Sequence, residues 1–270
     1  MNITNSGTKH HNSIVTGERI VTRDGGFNPS WQRHAACYGF AAGLIGPGVV
    51  LDVGCGLGHA RSYLGSRRTI GIDLDHSSLC GQDREAVRAD MRRLPFGPGA
   101  FDAVVSIHAI EHVPDAKVAV SETSRVLATG GVAIFATPNR LTFGLPDEII
   151  DPYHFVEYDP QQLETLCSEA FSEVEIHGIF GSGRYMEFFG LERKRLDTLL
   201  SLDPLKLRRF IPLRAKQLLY DWKLSHSRRN PDASAEQISV EDFDLRSENL
   251  EQALDLIAVC SGRKSGVPPA

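Results

Sequence analysis

The first chemistry-bearing stretch is Asp52-Val53-Gly54-Cys55-Gly56-Leu57-Gly58, an acid two residues ahead of three alternating glycines. Glycines so spaced let a backbone approach a ligand closely and leave helix N-terminal amides free. The dinucleotide fingerprint would need glycine where His59 stands, and a carboxylate at Asp52 suits a ligand ammonium better than a pyrophosphate. Asp73 ends the run Thr69-Ile70-Gly71-Ile72, where a second strand presents a carboxylate to ribose hydroxyls. Asp90, in Arg88-Ala89-Asp90-Met91, is placed to receive an adenine amino group, with Met91 and Leu74 offering apolar faces to the ring. Three acids at three strand ends make a coherent adenosine site.

A second set of candidates follows the fourth strand in His108-Ala109-Ile110-Glu111-His112. On a helix starting here, His108, Glu111 and His112 share a face. They read either as a divalent metal site or catalytic group, or as a packing and capping pair built on Glu111-His112; imidazole at His108 suits magnesium poorly. Farther on come Thr137-Pro138-Asn139-Arg140 and Asp151-Pro152-Tyr153-His154-Phe155-Val156-Glu157-Tyr158. His154 is the preferred general base, because a neutral imidazole accepts a hydroxyl proton near pH 7; the alternative is a histidine that holds its loop. Asn139 and Tyr153 are candidate substrate contacts, and Arg140 and Arg184 candidate anion binders.

These residues need a frame that gathers strand ends. Val49–Val53, Thr69–Ile72, Phe101–Ile107, Val132–Ala136, Val174–Ile179 and Leu254–Val259 are short apolar runs separated mostly by helical or loop-like stretches. That alternation predicts an α/β, Rossmann-like doubly wound fold: a mostly parallel seven-stranded sheet with helices on both faces. Ligands bind beyond the carboxyl ends of such strands. The predicted organisation is an N-terminal segment and helix over 1–47, a core over 48–180 and 251–262, and a basic helical insertion over 181–250, between the last two strands. Within the insertion, residues 184–229 hold 12 Lys+Arg against 5 Asp+Glu, a net of +7, leaving −12 for the rest of the −5 chain. Amphipathic basic helices rest on membranes or grip anionic substrates, and equally form a solvated cap or a dimer surface. Residues 1 to 14 read as a frayed terminus or a lid.

Composition narrows the class. With 41% apolar, 23% charged and 8% aromatic residues among 270, disordered, collagen-like and coiled-coil chains are excluded. The lack of a long apolar run or signal-peptide core predicts a cytoplasmic protein without a transmembrane segment. Five scattered cysteines with no C-x-x-C pair predict free thiols.

Taken together, VLDVGCGLG, GIDLD, RADMRRLPF, FDAVVSIHAIEHV and SRVLATGGVAIFATPN, over roughly residues 48–180, resemble the class I S-adenosylmethionine-dependent methyltransferases of the UbiE/UbiG-like type 11 group. The resemblance implies S-adenosyl-L-methionine as cofactor and S-adenosyl-L-homocysteine as product. It places the methionine part on Gly54, Cys55, Gly56 and Gly58 with Asp52 near its amino group, the ribose on Asp73 and the adenine on Asp90, with the backbone at Ser106 and Ile107 completing the pocket. The His108–His112 stretch is similar to a metal-binding E-x-x-E-H segment of quinone-pathway relatives, with His108 in place of the first glutamate, so a divalent metal such as magnesium is an open expectation. No N-P-P-Y-type motif and no Pro-Cys nucleophile are present, which disfavours nucleic acid as partner. The expected reaction is O-methylation of a small-molecule or glycoside hydroxyl, with N-methylation of an amine or non-catalytic cofactor binding as alternatives. Thr16-Gly17-Glu18-Arg19 is similar to a stretch in some actinobacterial sugar O-methyltransferases, which favours a carbohydrate acceptor, while the basic insertion allows an anionic one; a homodimer is a further expectation.

Overall fold

The computed structural model describes residues 29–58, 61–65, 67–80, 82, 85–145, 148–203, 205–229 and 237–264. The expected N-terminal lid, the Thr16–Arg19 segment and His59 lie outside them. The chain opens with α1 (Pro29–Leu44), then β1 (Val49–Val53), β2 (Arg68–Asp73), α2 (His76–Leu79), β3 (Ala86–Arg88) and β4 (Phe101–Ile107). There follow α3 (Ala116–Val126), β5 (Leu127–Pro138), α4 (Arg140–Phe143), α5 (Pro160–Ser168) and β6 (Phe171–Gly181). The last part comprises α6 (Gly183–Ser201), α7 (Leu213–Arg229), β7 (Phe243–Arg246) and β8 (Asp255–Arg263).

The strands form one sheet in the order β3-β2-β1-β4-β5-β8-β6-β7. Strands β1 to β5 pair in parallel; β8 runs antiparallel to both β5 and β6, and β7 antiparallel to β6. Side chains on a strand alternate between faces, and the central strands are apolar on both. Leu51, Val53 and Val104 join one core with Val120 of α3 and Leu163 of α5. Val50, Val105 and Ile107 join the other, against Ala36 and Tyr38 of α1 and Tyr185 of α6. That two-sided burial is why β1 and β4 read as unbroken apolar runs.

The doubly wound, mostly parallel α/β sheet is as expected, with eight strands rather than seven. The two short edge strands carry little apolar signal: β3 has three residues, and β7 is Phe-Asp-Leu-Arg within the stretch expected to be helical. Phe243 is buried and pairs with Gly181 across from β6. Capping residues set several helix starts: Asp159 and Gln162 form a reciprocal capping box on α5 behind Pro160, and Asp75 caps α2. All five cysteines are free thiols. Among the described residues, no helix is long and apolar enough to cross a membrane.

Candidate active site

The site is built on the turn that leaves β1. The Gly54 and Cys55 amides both donate to the Ile72 carbonyl at 2.9 Å, which ties the turn to the end of β2. Gly54, Gly56 and Gly58 have φ of +76°, +51° and +70°, the left-handed region that glycine adopts without cost. A Cβ on Gly54 would stand 2.4 Å from the Ala109 Cβ and one on Gly58 2.7 Å from the Gln82 Oε1, whereas at Gly56 nothing lies within 4 Å. Gly56 is therefore the open side of the cradle. Its amide donates to the Asp73 Oδ2 at 2.9 Å, while the Asp75 amide donates to the Oδ1 at 2.9 Å. These bonds hold the Asp73 carboxylate at the rim of the glycine turn.

Asp52 is wholly buried beneath that turn. Tyr38 of α1 donates its hydroxyl to the Oδ1 at 2.9 Å, and the buried Arg61 Nε lies 3.7 Å from the Oδ2, which accepts no hydrogen bond among the described residues. Burial raises the carboxyl from 3.8 to about 7, against the opposing pull of Tyr38 and Arg61. Sequence reasoning missed both Tyr38 and Arg61; only an arginine close behind a glycine turn hinted at a buried counter-ion. Arg61 also donates to the carbonyls of Thr69 and Glu85 and to the Gln82 Oε1. The Cys55 thiol, pushed up to about 12 by burial and the nearby acids, stays protonated.

At the end expected to hold adenine, Asp90 receives the Arg92 amide at 2.9 Å and its guanidinium at 2.6 Å. This partner holds its carboxyl below the usual range, so Asp90 stays an acceptor. Leu74 is 60% exposed, an apolar face with no cover of its own. Met91 packs on the core, its Cε 4.0 Å from where a Gly54 Cβ would stand. The Ile107 side chain is buried in the core under α1, which leaves its backbone for the role expected of it.

On the acceptor side the expected shared face of His108, Glu111 and His112 does not form. His108 has φ +50°, and the turn over Ile110–His112 is a single 3₁₀ turn, so helical spacing does not apply. His108 turns toward Asp255, its Nε2 3.4 Å from the Oδ2. Glu111 and His112 instead meet His154: each of the three offers one donor atom, all within 4.8 Å of one another. The His112 and His154 rings stand edge to face at 5.0 Å. The His154 Nδ1 lies 3.2 Å from the Glu157 Oε1 and its Nε2 3.8 Å from the Asp151 Oδ2. Burial lowers the His154 pKa, but the hydrogen bond it donates to Glu157 and the charges of Glu111 and Asp151 outweigh it, leaving the imidazole above its ordinary value. Thr137 donates to the Glu111 Oε2 at 3.2 Å, while Glu111 Oε1 and Glu157 Oε2 accept no hydrogen bond among the described residues.

The remaining expected substrate contacts are placed differently. Asn139 is fully buried; its amide donates to the carbonyls of Leu250 and Ala253, and its Oδ1 caps α4 through the Leu141 amide, so it is structural. The reason is local: an Asn at a strand-to-helix junction satisfies amide and carbonyl groups that would otherwise be stranded. Arg184 donates to the Gln237 carbonyl at 2.9 Å, away from the cluster. Arg140 is half-buried on α4, its Cγ against Gly144, where Glu157 Oε2 also approaches. Tyr153 donates its hydroxyl to Asp221 and Tyr220 donates to Asp151, so α7 clasps the loop that carries His154.

A family model described as a methyltransferase domain matches residues 51–135, the stretch from Asp52 through the Glu111 turn to β5. A probable S-adenosylmethionine-dependent methyltransferase of Mycolicibacterium smegmatis is 34% identical over 60% of this chain and 66% of its own length. A ubiquinone biosynthesis O-methyltransferase of Idiomarina loihiensis is 32% identical over 43% of this chain and 54% of its own. The chain thus spans less than two thirds of either relative. In fold, it is similar to a Thermotoga maritima S-adenosylmethionine-dependent methyltransferase described as a possible histamine N-methyltransferase, with a TM-score of 0.58 at 13% identity over 86% of this chain and 90% of that one. A matching methyltransferase domain over 51–135, a glycine turn between two strand-end acids and this sheet order give residues 51–135 as a methyltransferase domain on a class I methyltransferase fold, a kind of domain whose cofactor is S-adenosyl-L-methionine.

Proposed function

We propose that the protein transfers a methyl group to a hydroxyl of a small molecule, with His154 taking the hydroxyl proton. The observation that carries this reading is the packing of Glu111, His112 and His154 beside the cofactor turn, since Ala109, which abuts Gly54, opens the 3₁₀ turn holding Glu111. The site fits the cofactor: Gly56 leaves a cradle open, and Asp52 Oδ2 is a buried acceptor without a hydrogen-bond donor of its own. Asp52 would face the ammonium, Asp73 the ribose and Asp90 the adenine, with Leu74 against the ring. When bound, S-adenosyl-L-methionine supplies an electrophilic methyl on a cationic sulfonium and leaves as S-adenosyl-L-homocysteine.

An alcohol holds its proton too tightly to attack unaided, so a base that accepts it as the oxygen–carbon bond forms lowers the barrier. His154 is suited to this, because Glu157 and Asp151 orient the ring and stabilise the imidazolium that results. A relative described as an O-methyltransferase supports oxygen over nitrogen. The acceptor is read as a sugar or an anionic small molecule and not a nucleic acid, and the protein as a cytoplasmic one that can pair as a homodimer.

Two observations favour further readings. Asp255 and His108 make a second acid–imidazole pair at the strand ends, with Asp255 held ionised by Arg33 Nε at 2.9 Å. His108 would then be the base. Glu111, His112 and His154 could also bind a divalent metal; two imidazoles and one carboxylate suit zinc better than magnesium.

The test is calorimetric titration with S-adenosyl-L-methionine and S-adenosyl-L-homocysteine, then a labelled-methyl screen over glycosides and other hydroxyl acceptors, with and without chelator. A fall of about 10²- to 10⁴-fold in kcat for His154→Ala, with cofactor affinity kept, fits the reading. A comparable fall only in His108→Ala moves the base to that residue, loss with chelator indicates a metal, and an acceptor turned over equally by both variants is an amine. Cofactor binding with no turnover of any acceptor would leave a non-catalytic cofactor-binding protein.

A further inference from the structure

Between Leu205 and Trp222 most of the large apolar side chains are presented to solvent. On α7, Ala215, Leu218, Leu219 and Trp222 follow the i, i+3, i+4, i+7 spacing of one helix face, and all four are exposed, Leu218 at 72% and Trp222 at 66%. The opposite face, with Gln217, Tyr220 and Asp221, is the one that grips the 151–154 loop. Over residues 213–222 the helix is thus polar toward that loop and mostly apolar outward. Leu205 and Phe210, in the stretch ahead of it in sequence, are exposed as well, at 77% and 83%. Exposed apolar side chains are ordinary singly, but a contiguous stripe of them marks a surface that is covered in use.

Charge indicates what covers it. Residues 201–222 contain five Lys+Arg (Lys206, Arg208, Arg209, Arg214, Lys216) and two acids (Asp203, Asp221), a net of +3, which Glu148, paired with Arg208 and Arg209, brings to +2. Arg214 lies on the exposed side of α7 beside the stripe. A second copy of this chain would set one positive patch against another. A surface that is apolar within and anionic at its rim complements both features, which is how basic amphipathic helices lie in the headgroup region of a bilayer.

We propose that the outward stripe of α7 and the turn before it dock the protein on an anionic lipid bilayer. Leu218, Leu219, Trp222 and Phe210 enter the headgroup boundary, and Arg214 and Lys216 meet lipid phosphates. The same helix holds the loop of His154 by its other face. On the proposed reading of that loop as the acceptor side, docking therefore sets the catalytic loop against the lipid surface, where an acceptor carried by lipid would be.

The test uses the full chain and vesicles of phosphatidylcholine with or without about 30% phosphatidylglycerol, read by co-sedimentation. Binding is expected only with the anionic lipid, falling severalfold between about 0.1 M and 0.5 M salt. Leu218→Ser with Trp222→Ser should reduce partitioning by tenfold or more while S-adenosyl-L-homocysteine affinity is unchanged, since neither residue is near the cofactor turn. Trp31 and Trp222 are the two tryptophans, so in a Trp31→Phe background a blue shift of Trp222 emission on vesicle addition reports its insertion. Equal binding of wild type and the double variant, or a dimer in sedimentation velocity that the double variant abolishes with no vesicle binding by either, would overturn the proposal. Both readouts are independent of turnover, so vesicle binding without methyl transfer would count against the proposed function alone.

Discussion

Asp52 gives a prediction with a number in it. The ligand-free protein holds this carboxyl near pH 7 because it is buried under the glycine turn, so at pH 5 about ninety-nine molecules in a hundred are protonated there. A ligand ammonium is attracted to the carboxylate and gains little from the acid. Below pH 7, each unit should therefore cost about 1.4 kcal/mol of binding, or tenfold, and affinity should fall about a hundredfold between pH 7.5 and pH 5. The ammonium itself, with an ordinary α-amino value of about 8, sets a shallower decline on the alkaline side. The assay is calorimetry with S-adenosyl-L-homocysteine, which keeps the amino group without the sulfonium, in two buffers of different ionisation enthalpy. Near pH 6 binding should release close to one proton. Asp52→Asn should flatten the profile and converge on wild type near pH 5. Wild-type affinity constant from pH 5.5 to 7.5, or the same slope in the Asn variant, would refute the reasoning.

The same shift bears on stability. A raised acid favours the folded state while protonated, so wild type should lose stability between about pH 4 and pH 7, by up to about 4 kcal/mol; denaturant midpoints against those of Asp52→Asn isolate that share. The raised His154 predicts a rate that climbs with pH through a value above 6.5, and Glu157→Gln, which removes the strongest opposing pull on desolvation, should move this limb to lower pH. Gly54→Ala and Gly56→Ala should separate structure from binding. The first clashes with Ala109 and should lower stability by about 2 kcal/mol or more, while the second, strained only by its φ, should cost about 1 kcal/mol yet weaken cofactor binding at least tenfold in calorimetry. Arg33→Ala leaves the buried Asp255 without its cation and should destabilise by about 3–5 kcal/mol in urea unfolding, a loss that shrinks when Asp255→Asn is added.

What could be read from the chain was whatever lies within one strand and its turn. The run Val49–Val53 followed by three glycines announces a buried strand and a ligand-approaching turn, and the acids at 52, 73 and 90 fall at the edge the strand pattern implies. The gathering of Glu111 with His154 was hidden, because it depends on the 151–158 loop folding back so that the Phe155 amide donates to the Glu111 carbonyl. The turn of His108 toward Asp255 needs a left-handed backbone at a histidine and a strand from far along the chain, neither of which has a local signal. Asn139 looked like a contact because it stands at a strand end; that it spends its donors on Leu250 and Ala253 is a tertiary fact.

The reversed strand β8 has a consequence for how the protein comes to be folded. It lies between β5 and β6 and pairs with the second half of β5 and with most of β6. Until residues 255–263 arrive, β5 and β6 each offer an unpaired edge, that of β5 running through buried, apolar residues, the kind of edge that templates aggregation. The middle of the sheet is thus closed by a contact between distant parts of the chain, a slow step because loop closure precedes any gain from pairing. During synthesis at a ribosome, the first 250 residues must wait with the sheet in two halves. Demand for a chaperone should accordingly be greatest just before β8 emerges and fall away once it has zipped the halves together.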